Sequence, residues 1–303
     1  MGPRVLVIGK SGQVATALTE RAEARDIPAM CIGRPEVDIA TMDALPDEAI
    51  AFAPTIVVNA AAYTAVDKAE DEEDAAFAVN DAGAGRVAAA AAKLGVPVIH
   101  ISTDYVYDGA KPEPYVETDP PCPLGVYGRS KLAGEEAVAQ AADRHVILRT
   151  AWVFSPFGRN FVKTMLALAE TRDRLKIVDD QRGSPTYALD LADAILTIAE
   201  RIAETGWQQR YQGVFHAANA GETTWRGLAH KAFAASAALG GPTAAADPIP
   251  TSDYPTAAER PLNSRLDCGR LKATFGIALP DWWVGVRDCV GRLVTTHEKQ
   301  ETP

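Results

Sequence analysis

The feature that most constrains this chain is an alternation. Short runs of β-branched and aliphatic residues recur between longer, Ala-rich stretches with helical spacing. Val5-Leu6-Val7-Ile8 is the first run, Ala29-Met30-Cys31-Ile32 a weaker second, and residues 55–59, 96–101 and 145–149 continue the series. Helical patterns lie between them at residues 13–23, 42–52, 71–94 and 130–142. Runs that are apolar throughout, rather than alternating with polar residues, suit strands buried on both faces. Strands of that kind separated by helices predict an α/β fold, a doubly wound parallel (Rossmann) sheet.

After about residue 153 the rhythm changes. Helical spacing at 161–169 and 189–203, strand-like runs at 175–178 and 213–217, a loop at 180–186 and another helix at 225–238 precede a tail rich in Pro, Gly and Ala. We expect a dinucleotide-binding domain over residues 1–153, completed by about 187–219. A smaller, less regular α+β domain over 154–186 and 220–303 would cap the strand ends. Trp282 and Trp283 are expected to pack that second domain.

With 303 residues the chain is long enough to bury a core without covalent staples. Thirty Lys and Arg against 40 Asp and Glu leave a net charge of −10, and no basic stripe interrupts the acidic balance, so neither nucleic acid nor a membrane surface is an expected partner. Four scattered cysteines with no Cys-x-x-Cys argue against a zinc site and a disulfide framework, and fit a cytoplasmic protein. The first apolar run stops at Gly9, too short for a signal segment or a membrane span.

Four stretches carry chemistry. Gly9-Lys10-Ser11-Gly12-Gln13-Val14-Ala15 follows the first strand and opens a helix, the context in which glycines permit a tight turn and a helix N-terminus meets a pyrophosphate. At the end of the second strand, Arg34 stands where an acid would hold the ribose hydroxyls of NAD. It suits a 2′-phosphate, which favours NADPH over NADH, or it is simply solvated. Asp38, with Ile39, either approaches the adenine or caps a helix. Asn59-Ala60-Ala61-Ala62-Tyr63-Thr64 leaves room for a flat ligand over the sheet edge, or forms a layer of small packing residues. The acidic run at 67–74 reads as a solvated helix start.

The fourth stretch pairs Ser102-Thr103-Asp104 with Tyr127-Gly128-Arg129-Ser130-Lys131. Tyr127 and Lys131 are four apart and share a helix face. An ammonium beside a phenol lowers its pKa and suits it to exchange a proton with a carbonyl or alcohol oxygen, and Thr103 can bond the same oxygen.

These words in this order resemble the extended short-chain dehydrogenase/reductases. The likeness continues through Val58-Asn59-Ala60-Ala61-Ala62-Tyr63-Thr64, Arg149-Thr150-Ala151-Trp152, Asp180-Gln181-Arg182-Gly183-Ser184-Pro185-Thr186 and Arg260-Pro261-Leu262-Asn263-Ser264-Arg265. The resemblance implies reduction of the 4-keto group of dTDP-4-dehydro-L-rhamnose to dTDP-L-rhamnose by NADPH or NADH. In it Thr103, Tyr127 and Lys131 are catalytic, with Lys131 also on the nicotinamide ribose. Gly9, Gly12, Gln13, Val14, Arg34, Asp38, Ile39, Ala61, Ala62, Tyr63, Thr64, Tyr127 and Lys131 meet the cofactor, and Thr103, Asp104, Trp152 and Arg260 meet the sugar nucleotide. Arg159, Lys163 and Arg265 are further candidates for its diphosphate.

Some members of the resembled family are magnesium-linked dimers that use a Glu shortly after the Gly loop. Residues 13–19 here contain no acid before Glu20, so no metal ligand is assigned, and the chain is expected to be a monomer or homodimer. A sugar-nucleotide reductase or epimerase of other stereochemistry, and a non-catalytic regulatory subunit on the same fold, are the competing readings. His100 reads as a core residue of the fourth strand.

Overall fold

A computed structural model describes residues 2–301. Residues 1, 302 and 303, which end the two expected domains, lie outside the described residues. The central sheet contains β1 (Val5–Ile8), β2 (Ala29–Ile32), β3 (Ile56–Asn59), β4 (Val98–Thr103), β5 (His145–Thr150) and a sixth strand, Gly213–His216. From one edge the order is β2, β1, β3, β4, β5 and the sixth strand, with every neighbour parallel.

The side-chain alternation of each strand divides the core in two. Val5, Val7, Ile56, Val58, Ile99, Val146 and Leu148 face one apolar cluster. Leu6, Ile8, Val57, Val98 and Ile147 face the other. Both faces are therefore dry, and the five runs read from the sequence coincide with strands to within one or two residues. Each fully buried aliphatic side chain contributes roughly 1.5–3 kcal/mol.

Four expectations about the elements need correction. The stretch 42–52 is helical only over Asp47–Ala51; Pro46 precedes the helix, and Met42 and Leu45 are buried from irregular chain. The stretch 71–94 is not one helix but three pieces, Glu73–Phe77, a π-helical turn Ala78–Gly83, and Ala84–Lys93. The neighbouring helix Val126–Ala141 explains the bulge: a Cβ on its Gly134 would lie 1.9 Å from the Asn80 carbonyl oxygen, so the two backbones touch. The loop at 180–186 contains two short strands, Arg182–Gly183 and Thr186–Tyr187, and the tail is more regular than expected, ending in the helix Trp282–Glu301.

Other second-half segments build small sheets of their own. Arg182–Gly183 lies between Thr223–Thr224 and Asn263–Ser264, and Ala245–Ile249 pairs with Arg174–Val178. Trp282 is buried as expected, whereas Trp283 is 44% exposed beneath the Arg287 guanidinium. No helix among the described residues is long and apolar enough to cross a membrane.

Candidate active site

The chain runs outward from β1 to β2 and then returns across β1 to β3. An open α/β sheet binds ligands at such a reversal, outside the carboxyl ends of the strands. Gly9 ends β1 with φ +135°, and a Cβ there would lie 3.2 Å from the Ala60 carbonyl carbon just past β3. A side chain would be strained twice over, by conformation and by contact. The helix Gln13–Ala24 then starts at Gly12 with no side-chain cap and no acid in its first turn, and the space where a Gly12 Cβ would stand is open. Its first N–H groups and the positive end of its dipole suit an anion such as pyrophosphate.

Gln13 turns its side chain inward. Its Oε1 accepts from Ser155 Oγ at 2.7 Å and Asn160 Nδ2 at 3.0 Å, so it ties the Gly loop to the 153–160 segment and leaves its backbone for a ligand. Val14 is half-buried behind it. Gly33 packs on the Lys10 backbone, which brings the exposed Arg34 beside the same loop. Lys10 Nζ itself pairs with Glu36 at 2.7 Å. Asp38 Oδ1 accepts from its own turn at Ala40 N, and Ile39 is buried against Gly83. Ala61, Ala62 and Tyr63 are half-buried and Thr64 is exposed along the β3 exit.

Thr103 closes β4, in register with Thr150 of β5. Its hydroxyl donates to Asp104 Oδ1 at 3.1 Å and accepts from Tyr105 N at 3.2 Å. Tyr127 stands in the first turn of the helix Val126–Ala141, its ring edge-on to Tyr105 with centroids 5.4 Å apart. Lys131 follows one turn later, 2% exposed, and donates to the Ile101 carbonyl at 2.7 Å. The fold thus brings Thr103, Asp104, Tyr127 and Lys131 to the carboxyl end of β4.

The electrostatics differ from the expectation in one respect. Burial pushes the Tyr127 phenol up, and it is the hydrogen bond with Thr103, not the Lys131 ammonium, that opposes the shift. Burial also holds Lys131 down, to about 8, against the attraction of Glu135. Asp104, 3% exposed, is pushed up to about 6 by desolvation, with hydrogen bonds from Ser264 and Thr103 opposing. The site is dry enough that each charge depends on its local partners.

Trp152 follows β5 in a left-handed conformation, φ +47°, and stacks on Trp225 with centroids 3.7 Å apart. Arg260 bonds Asp67 at 2.6 Å and Tyr105 Oη at 3.2 Å, so this expected substrate cation is already engaged at the site's edge. Arg265 pairs with Glu222, Lys163 donates to the Pro156 carbonyl, and Arg159 is exposed. Glu20 is gripped by both terminal nitrogens of Arg292, at 2.8 and 2.7 Å. Among the described residues no three His, Cys, Asp or Glu side chains are placed together to hold a metal ion.

A family model described as the RmlD substrate binding domain matches residues 3–295. The dTDP-4-dehydrorhamnose reductase of Sinorhizobium fredii is 49% identical over 292 residues, which span 96% of this chain and 98% of the relative. The chain belongs to the dTDP-4-dehydrorhamnose reductase family. The enzyme of that name from Escherichia coli K12 is 40% identical over 297 residues, 96% of this chain and 98% of its own. Among solved structures, the reductase of Bacillus anthracis in complex with NADP superposes with a TM-score of 0.87 at 33% identity, covering 96% of this chain and 100% of that one. The Clostridium acetobutylicum structure gives 0.86 at 33% identity, covering 96% and 99%.

Several residues around this family's site escaped the sequence reading. The acidic run is not merely solvated: Asp67 holds Arg260, Glu70 Oε1 accepts from Val126 N at 2.9 Å and so caps the Tyr127 helix, Glu72 takes the Tyr63 hydroxyl at 2.6 Å, and Glu73 pairs with Arg129. Asn80, in the π-turn, accepts from Tyr63 N at 2.8 Å and donates to Ser130 Oγ at 3.0 Å, linking the β3 exit to the Tyr127 helix. An Asn in the middle of a helical pattern, where it competes with the backbone, was the available signal. His100 is buried as expected, but it also touches Lys131.

Proposed function

We propose that this chain reduces the 4-keto group of dTDP-4-dehydro-L-rhamnose to dTDP-L-rhamnose, with NADPH or NADH as the reductant. The observation that carries the reading is the meeting of Thr103, Tyr127 and Lys131 at the carboxyl end of β4, the same end of the sheet at which the Gly9–Gly12 loop follows β1, in a chain whose close relatives bear the reductase name. The complex of the Bacillus anthracis relative with NADP supports the choice of cofactor. When bound, the dinucleotide supplies a hydride to C4 of the sugar.

The protein's residues do the rest. Gly9 and Gly12 let the pyrophosphate approach the backbone, and Arg34 meets a 2′-phosphate. Ala61, Ala62, Tyr63 and Thr64 border the cofactor along the β3 exit, with Asp38 and Ile39 nearer the adenine. Thr103 and Tyr127 hold the carbonyl oxygen, and Tyr127 gives it a proton as charge develops there. Lys131 sits one turn away and orients the ribose. Asp104 and Trp152 border the sugar, and Arg260 exchanges Asp67 for the diphosphate. Residues 1–153 with about 187–219 carry the cofactor, and 154–186 with 220–303 carry the sugar nucleotide. The protein works in the cytoplasm as a monomer or homodimer without a bridging metal.

The test is oxidation of NADPH or NADH with the keto-sugar nucleotide present, with the product examined by NMR. Tyr127→Phe should lose about 10²–10⁴-fold in turnover and keep cofactor affinity. Near-normal turnover would remove Tyr127 from its role as acid, and a 4-epimer as product would move the chain to another sugar.

A further inference from the structure

One buried group has no part in the mechanism above. His100 is 1% exposed in β4, and its Nε2 lies 3.3 Å from Lys131 Nζ while its Nδ1 lies 3.1 Å from Asn59 Nδ2. Asn59 is also 1% exposed, and its Oδ1 accepts from Ala61 N at 3.2 Å. That last bond sets the amide: its oxygen faces Ala61, so its NH₂ faces His100. A neutral imidazole has one donor and one acceptor nitrogen. Nδ1 must accept from Asn59, and the ring proton therefore sits on Nε2, pointing at Lys131. Burial holds His100 well below its ordinary range, so the doubly protonated ring does not relieve the pattern.

Lys131 already donates to the Ile101 carbonyl. An ammonium offers three donors and no acceptor. Facing Nε2–H it meets donor with donor, and it can be satisfied only if His100 moves its proton to Nδ1 and breaks the bond to Asn59. A neutral amine instead accepts from Nε2–H with its lone pair. The charged group that bears on Lys131 from its own helix is Glu135. Glu135 favours the ammonium, but both its oxygens are claimed by Arg149, with Ser102 Oγ on one of them.

We infer that His100, its tautomer set by Asn59, is a positioning residue that weakens the hold of Lys131 on its proton, so that the lysine gives up charge within the working range of the enzyme. This deepens the reading of Lys131 given above and rests on it. The consequence is chemical: a lysine that can release its proton is able to restore one to the Tyr127 phenolate left after the sugar oxygen is protonated.

The experiment follows the Cε resonance of Lys131 through pH in full-length protein carrying ¹³C-labelled lysine, assigned by Lys131→Met. The parent should titrate below the ordinary lysine range. His100→Leu removes the donor, and Asn59→Ala frees the ring to accept from the ammonium; each should raise the midpoint by one unit or more, a tenfold change in proton affinity. His100→Gln, which can still present an N–H, should stay within half a unit of the parent. The alkaline limb of kcat/KM should move in the same direction and by the same amount. Thermal unfolding identifies the folded variants, and either His100→Leu or Asn59→Ala is decisive by itself. An unchanged or lowered midpoint in His100→Leu or Asn59→Ala, or a Gln variant that behaves like Leu, overturns the proposal. Near-normal turnover in Lys131→Met would instead overturn the catalytic reading on which it rests, whatever the resonance does.

Discussion

Glu135→Gln should cost the protein several degrees of thermal stability. Glu135 and Arg149 are 4% and 3% exposed and meet through two parallel bonds, Nε to Oε1 at 2.9 Å and Nη2 to Oε2 at 2.5 Å. Ser102 Oγ adds a bond to Oε1 at 2.5 Å, and Arg149 Nη1 reaches Tyr107 Oη, which in turn meets His216 Nε2 at 2.9 Å. The amide keeps the shape and removes the charge, leaving a buried guanidinium without its counter-ion. Breaking such a pair from one side costs about 3–5 kcal/mol. At about 2.1 cal/mol/K per residue, a chain of 303 residues changes by roughly 0.6 kcal/mol per degree near its midpoint, so Tm should fall by about 5–8 °C. Differential scanning calorimetry measures it directly. Removing both charges with Glu135→Leu and Arg149→Met should recover at least half the loss, because desolvation and attraction leave together. A fall below about 1 °C for Glu135→Gln would refute the claim that the pair is electrostatically coupled. A double variant worse than the single would refute the claim that the uncompensated charge is the cause.

Asp104 offers a pH test. Its folded pKa is raised to about 6, so the native state binds a proton more tightly than the unfolded chain, and wild-type stability should fall as pH rises from about 4 through about 6. Asp104→Asn should lack that fall and gain up to about 3 kcal/mol on wild type above pH 6; denaturant titration at pH 4 and pH 8 would expose parallel behaviour of the two proteins if the assignment were wrong. Gly134→Ala should destabilise by about 1–3 kcal/mol or more and weaken cofactor binding, since its methyl meets the Asn80 carbonyl and displaces the π-turn; calorimetry and cofactor titration read both effects.

The sequence by itself was sufficient for the sheet, the Gly loop and the Tyr127–Lys131 pair. Each is a local pattern: an aliphatic run needs no partner to declare itself a buried strand, and residues four apart on a helix share a face wherever that helix lies. Only tertiary structure decided the remainder. Asn80 became a link because Gly134, 54 positions away, brings a second backbone against it. The acids at 67–73 became caps and clasps because Val126, Arg129 and Arg260 arrive from other elements. His100 was legible as buried, but its bearing on Lys131 depends on the hydrogen-bond direction imposed by Asn59 from the adjoining strand. The phenol was expected to be lowered by a nearby ammonium and is raised, because desolvation depends on how completely the neighbouring segments cover a group, which spacing along the chain does not specify.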